Sequence, residues 1–125
     1  HAHWNVKGPN FFSLHELFDK VAEEVEGFAD ELGERAVALG GVALGTARLV
    51  VANSRLPEYP PDMTAGSAHV EALSSALAAF GKSIREAIDA AGKAGDADTS
   101  DLFTEVSRSI DKLLMFVEAH AQGNQ

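Results

Sequence analysis

The stretch FSLHELFDKVAEEVEGFADELGERAVAL, residues 12–39, decides the fold. Leu14, Leu17, Phe18, Val21, Val25, Phe28, Leu32, Ala36 and Leu39 recur in it at helical intervals. The spacing predicts one long amphipathic helix from Phe12 to about Leu39. Ser13 or Asn10 is its expected N-cap, with Glu16 as the capping-box partner of Ser13. Gly40-Gly41 ends it.

Working outward, Gly8-Pro9-Asn10 is a strong breaker. Residues 1–7 read as the tail of an earlier helix whose beginning is absent. Val42 to Val51 is apolar and bounded by Gly40-Gly41 and Asn53-Ser54. It is expected as a short helix inside a long connection; a strand is the competitor, because Leu49-Val50-Val51 is β-prone. Leu56-Pro57-Glu58-Tyr59-Pro60-Pro61 is irregular. A third helix is expected from about Ser67 to Ala91, with Val70, Leu73, Leu77, Phe80, Ile84 and Ile88 on one face. A Gly- and Asp-rich turn spans Gly92 to Asp98. A fourth helix follows, from near Thr99 to about Ala121, carrying Leu102, Phe103, Val106, Ile110, Leu113, Leu114, Phe116 and Val117. Long helices and a crossover with a short helix predict an all-α, ferritin-like four-helix bundle whose first helix is largely absent.

The polar side of the long helix carries chemistry. At 100° per residue, Asp19 lies about 40° from His15, Asp30 about 60° and Glu34 about 100°, so all four share one face. Imidazole with carboxylates is the ligand set of a divalent or redox-active iron site, not of a thiolate zinc site. Asp30 follows Asp19 by about 16 Å along the axis. One metal centre cannot use both from one straight helix. A second copy packed antiparallel brings its Asp30 and Glu34 opposite His15 and Asp19, which yields two equivalent intersubunit sites. His3 precedes the Gly8-Pro9 break and can fold back to complete the set. For any single pair of these residues, a solvated helix surface is the competing reading.

The bulk numbers bound the rest. At 125 residues the chain is expected to be a single domain with a real core. It has no cysteine, hence no disulfide framework or thiolate site. No apolar run reaches transmembrane length. The formal net charge of −9 favours cations over phosphates, and Lys and Arg are scattered rather than clustered.

Two segments resemble the Dps family of mini-ferritins, the DNA-binding proteins from starved cells. One is His3-Trp4-Asn5-Val6-Lys7-Gly8-Pro9-Asn10-Phe11 followed by His15-Glu16-Leu17-Phe18-Asp19. The other is Asp30 to Gly41, with the pattern Asp-x-x-x-Glu-Arg-Ala. The likeness continues through Ser107-Arg108-Ser109-Ile110-Asp111-Lys112. It implies a hollow homododecamer that oxidises Fe(II), usually with hydrogen peroxide, and stores a ferric mineral. It assigns His3, His15 and Asp19 of one subunit, with Asp30 and Glu34 of a twofold partner, to the ferroxidase centre, with two irons at each intersubunit site. In that centre Glu34 bridges and Asp30 orients a histidine or a water. Trp4 matches a tryptophan beside the centre that intercepts oxidising equivalents; packing in the core is the competing reading.

The resemblance also gives roles to other acids. Asp96, Asp101 and Glu105 match a region lining an acidic threefold pore for iron entry, Asp101 foremost. The alternative is capping and dipole support at a helix start, with Thr99 or Asp98 as the cap. Glu16 and Glu23 would nucleate mineral on the inner wall, with solvated surface as the alternative. His1, His69 and His120 have no partner visible in the sequence and are expected at the surface. Met63 and Met115 are expected as core or loop fillers. Family members have tens of further upstream residues, including most of the first helix and often a basic tail. The chain is thus expected to be N-terminally truncated, and DNA binding is not carried over to it. The location implied is cytoplasmic, at the nucleoid where DNA is bound. Two other readings stand: a nucleoid protein whose DNA function dominates, and a catalytically silent shell.

Overall fold

The computed structural model describes residues 1–122. Its elements are α1 (Ala2–Asn5), α2 (Phe11–Ala38), α3 (Ala47–Asn53), α4 (Gly66–Lys93), α5 (Ala97–Glu118) and a closing 3-10 turn (Ala119–Ala121). Among the described residues no strand forms; there is only an isolated parallel bridge between Lys7 and Ala65. The Lys7 amide donates to the Thr64 carbonyl at 2.7 Å and ties the chain start to the approach of α4.

The long helix lies within a residue of its expected span, but its start is capped differently. Asn10 holds the N-cap position without a side-chain bond. The Ser13 hydroxyl donates back to the Asn10 carbonyl at 3.1 Å, so the Ser13–Glu16 capping box does not form. At the other end Gly40 takes φ +88°, a left-handed value that an L side chain resists. The Gly41 amide then reaches the Ala36 carbonyl at 2.9 Å. The β-prone run is helical as α3, capped by the Thr46 hydroxyl accepting from the Leu49 amide at 3.3 Å. That local bond gives Leu49-Val50-Val51 a helical start, while no neighbouring strand is present to pair with them.

α4 and α5 form an antiparallel hairpin around which the core is built. Val106, Ile110, Leu113 and Val117 on α5 are fully buried, against Val70, Leu77 and Ile84 on α4 and Leu14, Phe18 and Val21 on α2. Gly66 is where α4 passes α2. A Cβ there would stand 2.7 Å from Leu14 Cδ1, so only glycine fits without moving that buried leucine. The stripes of α2 and α4 are wider than one contact requires. Val25, Phe28, Leu32, Leu73 and Phe80 line an apolar groove of about 620 Å³ between the two helices, with His1, His3 and Tyr59 among its other lining residues.

A polar clamp joins the end of α2 to the start of α5. Arg35 Nη2 donates to Asp96 Oδ1 at 3.1 Å and Arg35 Nε to Thr99 Oγ1 at 2.9 Å. Asp96, not Thr99 or Asp98, is the N-cap: it accepts from the Thr99 amide at 3.0 Å and the Thr99 hydroxyl at 2.6 Å. The Thr99 hydroxyl and amide, and then the Arg35 guanidinium, hold the Asp96 carboxyl below the usual carboxylate range.

His69 corrects the expectation of a surface residue. It is 0% exposed, with Tyr59 and the Met63 carbonyl bonded to its two ring nitrogens.

Two outcomes are expected. Ile110→Ala lowers unfolding stability by about 2–5 kcal/mol in a urea titration, through lost burial plus a cavity. Because folding lowers the Asp96 value, its contribution is fully present above about pH 4, the unfolded value, and fades as pH falls through the folded one. Asp96→Asn therefore lowers the urea midpoint at pH 7, and the gap from wild type closes towards the acid limit.

Candidate metal centre

The Gly8-Pro9 turn reverses the chain and lays α1 along the first turns of α2. It stacks His3 on His15 with ring centroids 3.8 Å apart and planes 15° off parallel. The contact is locked by reciprocal bonds. His3 Nδ1 donates to the His15 carbonyl at 2.6 Å, and His15 Nδ1 donates to the His3 carbonyl at 2.8 Å. A carbonyl oxygen only accepts, so both rings carry a proton on Nδ1, and in the neutral form Nε2 keeps its lone pair. A ring fixed through Nδ1–H to a carbonyl, with Nε2 left to bind, is the usual preparation of a metal-binding histidine. Phe11 stacks on His15 at 5.0 Å and further restricts that ring.

Asp19 follows His15 by one helical turn and is exposed. Asp30 and Glu34 form a second group further along α2. The neighbouring Asp30 carboxyl, by hydrogen bonding to the protonated form and then by its charge, pushes the Glu34 carboxyl above its ordinary value. Two carboxyls one helical turn apart, at i and i+4, are a pair that a cation can bridge. They edge a shallow depression with Ala29, Gly33, Val37 and Ala43.

Among the described residues, no three His, Asp or Glu side chains converge within one chain to hold a metal ion. The fold brings His3 to His15 and leaves Asp30 with Glu34 further along the same straight helix. It thus presents two half-sets of ligands.

Trp4, beside His3, is 82% exposed and so does not pack into the core of a single chain. Phe12 is exposed as well. At the start of α5, the Asp96 carboxylate is engaged by Arg35 and Thr99. Asp101 and Glu105 are exposed one turn apart, and Asp101 edges a depression with Gly92, Gly95, Ser100 and Thr104. Glu16 and Glu23 are exposed on α2, seven residues and therefore about 20° apart around the helix. The sequence reading missed Tyr59, His69 and Arg35. A signal existed for His69: it lies four residues before Leu73 and eight before Leu77, on the apolar stripe of α4.

Comparison with known proteins places this geometry. A ferritin-like domain matches residues 1–123. The DNA protection during starvation protein of Agrobacterium fabrum is 43% identical over 121 residues, covering 97% of this chain and 75% of that protein. The solved structure of DpsA14 from Streptomyces coelicolor superposes with a TM-score of 0.93 at 36% identity, covering 99% of this chain and 73% of that one. Dps from Staphylococcus aureus gives 0.89 at 36% identity, covering 94% of this chain and 78% of that one. None of the described helices is long and apolar enough to cross a membrane. The chain belongs to the ferritin-like proteins, and within them to the Dps family.

Proposed function

We propose that the chain is a ferroxidase and iron-storage subunit, working in a closed homododecamer in the cytoplasm. The observation that carries this reading is the reciprocal His3–His15 lock, which commits Nδ1 of two half-buried, stacked imidazoles to backbone carbonyls and leaves Nε2 for a ligand role. A surface pair selected for solubility has no reason to fix both tautomers. Fe(II) accepts imidazole and carboxylate together, and carboxylates stabilise the Fe(III) that forms.

In this reading His3, His15 and Asp19 of one subunit face Asp30 and Glu34 of a twofold partner. Each such site takes two Fe(II) as substrate. The irons give two electrons to hydrogen peroxide, which takes up two protons and leaves as two waters. Glu34 would bridge the irons, and Asp30 would orient a histidine or a water. Asp101 and Glu105 line the entry path, with Asp96 holding the helix start beside them. Glu16 and Glu23 receive ferric product on the inner wall. Trp4, exposed beside His3, takes up stray oxidising equivalents.

Assembly has its own support. Val42, Leu44, Val50, Val51 and Leu56 are all exposed along the crossover, an apolar run of the kind that assembly covers.

A second reading rests on the name of the Agrobacterium relative, which is DNA protection. The net charge of −9 opposes direct phosphate binding. A mobility shift that weakens steeply with salt would support it.

The deciding experiment mixes anaerobic Fe(II) with hydrogen peroxide on the purified assembly and follows ferric absorbance. Two Fe(II) are expected per peroxide. The Asp19→Ala/Glu34→Ala double variant is expected to oxidise at least about tenfold more slowly. Unchanged kinetics in that variant would refute the site. Sizing the same sample is expected to give a particle of twelve subunits, and a monomer would remove the intersubunit centre.

A further inference from the structure

Tyr59 and His69 form a hydrogen-bonded pair that the iron chemistry above does not use. Tyr59 Oη lies 2.5 Å from His69 Nδ1, and His69 Nε2 lies 2.9 Å from the Met63 carbonyl oxygen. That oxygen only accepts, so Nε2 carries a proton, and in the neutral imidazole Nδ1 has a lone pair. The phenol is therefore the donor. The two rings lie 14° off parallel, and His69 is sealed from water. Phe18 meets the imidazole edge-on at 6.2 Å. Tyr59 lines the same apolar groove as His1 and His3, with the His1 ring edge-on to it at 5.4 Å. Burial pushes the Tyr59 phenol above its ordinary value, so it stays protonated at neutral pH.

A phenol that loses one electron becomes a strong acid, and its proton must leave in the same event. A neutral imidazole nitrogen already in contact receives that proton without water or prior ionisation. A tyrosine that only packs needs no such acceptor. One that only clamps the loop before α4 is served equally well by a backbone carbonyl.

We infer that Tyr59 is a redox-active tyrosine with His69 as its proton acceptor, and that it passes one electron to oxidants generated from peroxide beside His3. The inference rests on the ferroxidase reading. Peroxide that meets a single Fe(II) yields hydroxyl radical. Tyr59 gives that radical one electron, forming hydroxide, which a solvent proton converts to water. The phenolic proton moves to His69 Nδ1, leaving a neutral tyrosyl radical beside an imidazolium. The next Fe(II) reduces the radical, His69 returns the proton, and Fe(III) is the product. The cycle sums to Fe(II), hydroxyl radical and one proton giving Fe(III) and water. Trp4 is absent from the groove lining and is exposed on another side of α1, so Tyr59 guards a direction that Trp4 does not.

Tyr59 is the single tyrosine of this sequence, which makes the assignment direct. Fe(II)-loaded protein is mixed with hydrogen peroxide and freeze-quenched for electron paramagnetic resonance, with Fe(II) loss followed in the same mixture. A tyrosyl signal is expected in wild type and none in Tyr59→Phe, whose fold is checked by circular dichroism. In a second arm, iron-free protein is oxidised by a flash-generated ruthenium(III) complex. Tyrosyl absorbance is expected to rise at least about tenfold more slowly in His69→Gln than in wild type. Iron oxidation without a wild-type tyrosyl signal overturns the inference and leaves the ferroxidase reading standing. Absence of iron oxidation overturns that reading and the delivery step with it. The flash arm then judges the pair alone: no radical in wild type, or an equal rate in His69→Gln, overturns it.

Discussion

A straight helix cannot bring His15 and Asp19 onto Asp30 and Glu34 of the same chain. α2 runs unbroken from Phe11 to Ala38, and the two groups lie about 16 Å apart along it. Metal bonds of about 2 Å leave no latitude for that gap. The ligands are thus divided into an imidazole-bearing half and a carboxylate half, each fixed on one rigid rod. Anything that uses both needs two rods side by side in opposite directions. On the proposed reading, catalysis and assembly follow from a single constraint, because a lone chain offers only half-sets of ligands.

The two halves are prepared differently. In the first, backbone carbonyls set the histidine tautomers before any iron arrives, so little reorganisation is needed on binding. In the second, Asp30 pushes the Glu34 carboxyl above its ordinary value, a strain that a cation between them would relieve. The rest of the fold holds α2 in place for this. Arg35 anchors its C-terminal end to the Asp96 cap of α5, and Leu14 meets Gly66 of α4 near its N-terminal end.

Much of this was legible from residues 12–39, because apolar periodicity and ligand periodicity are both local properties of one helix. His3 was legible as a partner for His15 through the Gly8-Pro9 break. The Dps likeness rested on the same segments. What escaped was long-range. Burial of His69 depends on Tyr59 and Met63 arriving from an irregular loop, and loops carry no period. The clamp that ties the Asp96 cap to α2 depends on Arg35, sixty-one residues earlier. Trp4 looks like core by composition, and only the direction in which α1 faces puts it in solvent. The Ser13–Glu16 box matched a local pattern, yet the helix began earlier than that box requires.

Co-assembly of two damaged subunits tests the division most directly. One carries His15→Ala and the other Glu34→Ala, and each alone is inactive in peroxide-driven iron oxidation. In a mixed pair, one of the two sites has both halves intact. Random equal mixing then restores about a quarter of the wild-type sites. Recovery near that fraction is the result a shared centre predicts. Mixed assemblies that form but stay as inactive as either parent would contradict it.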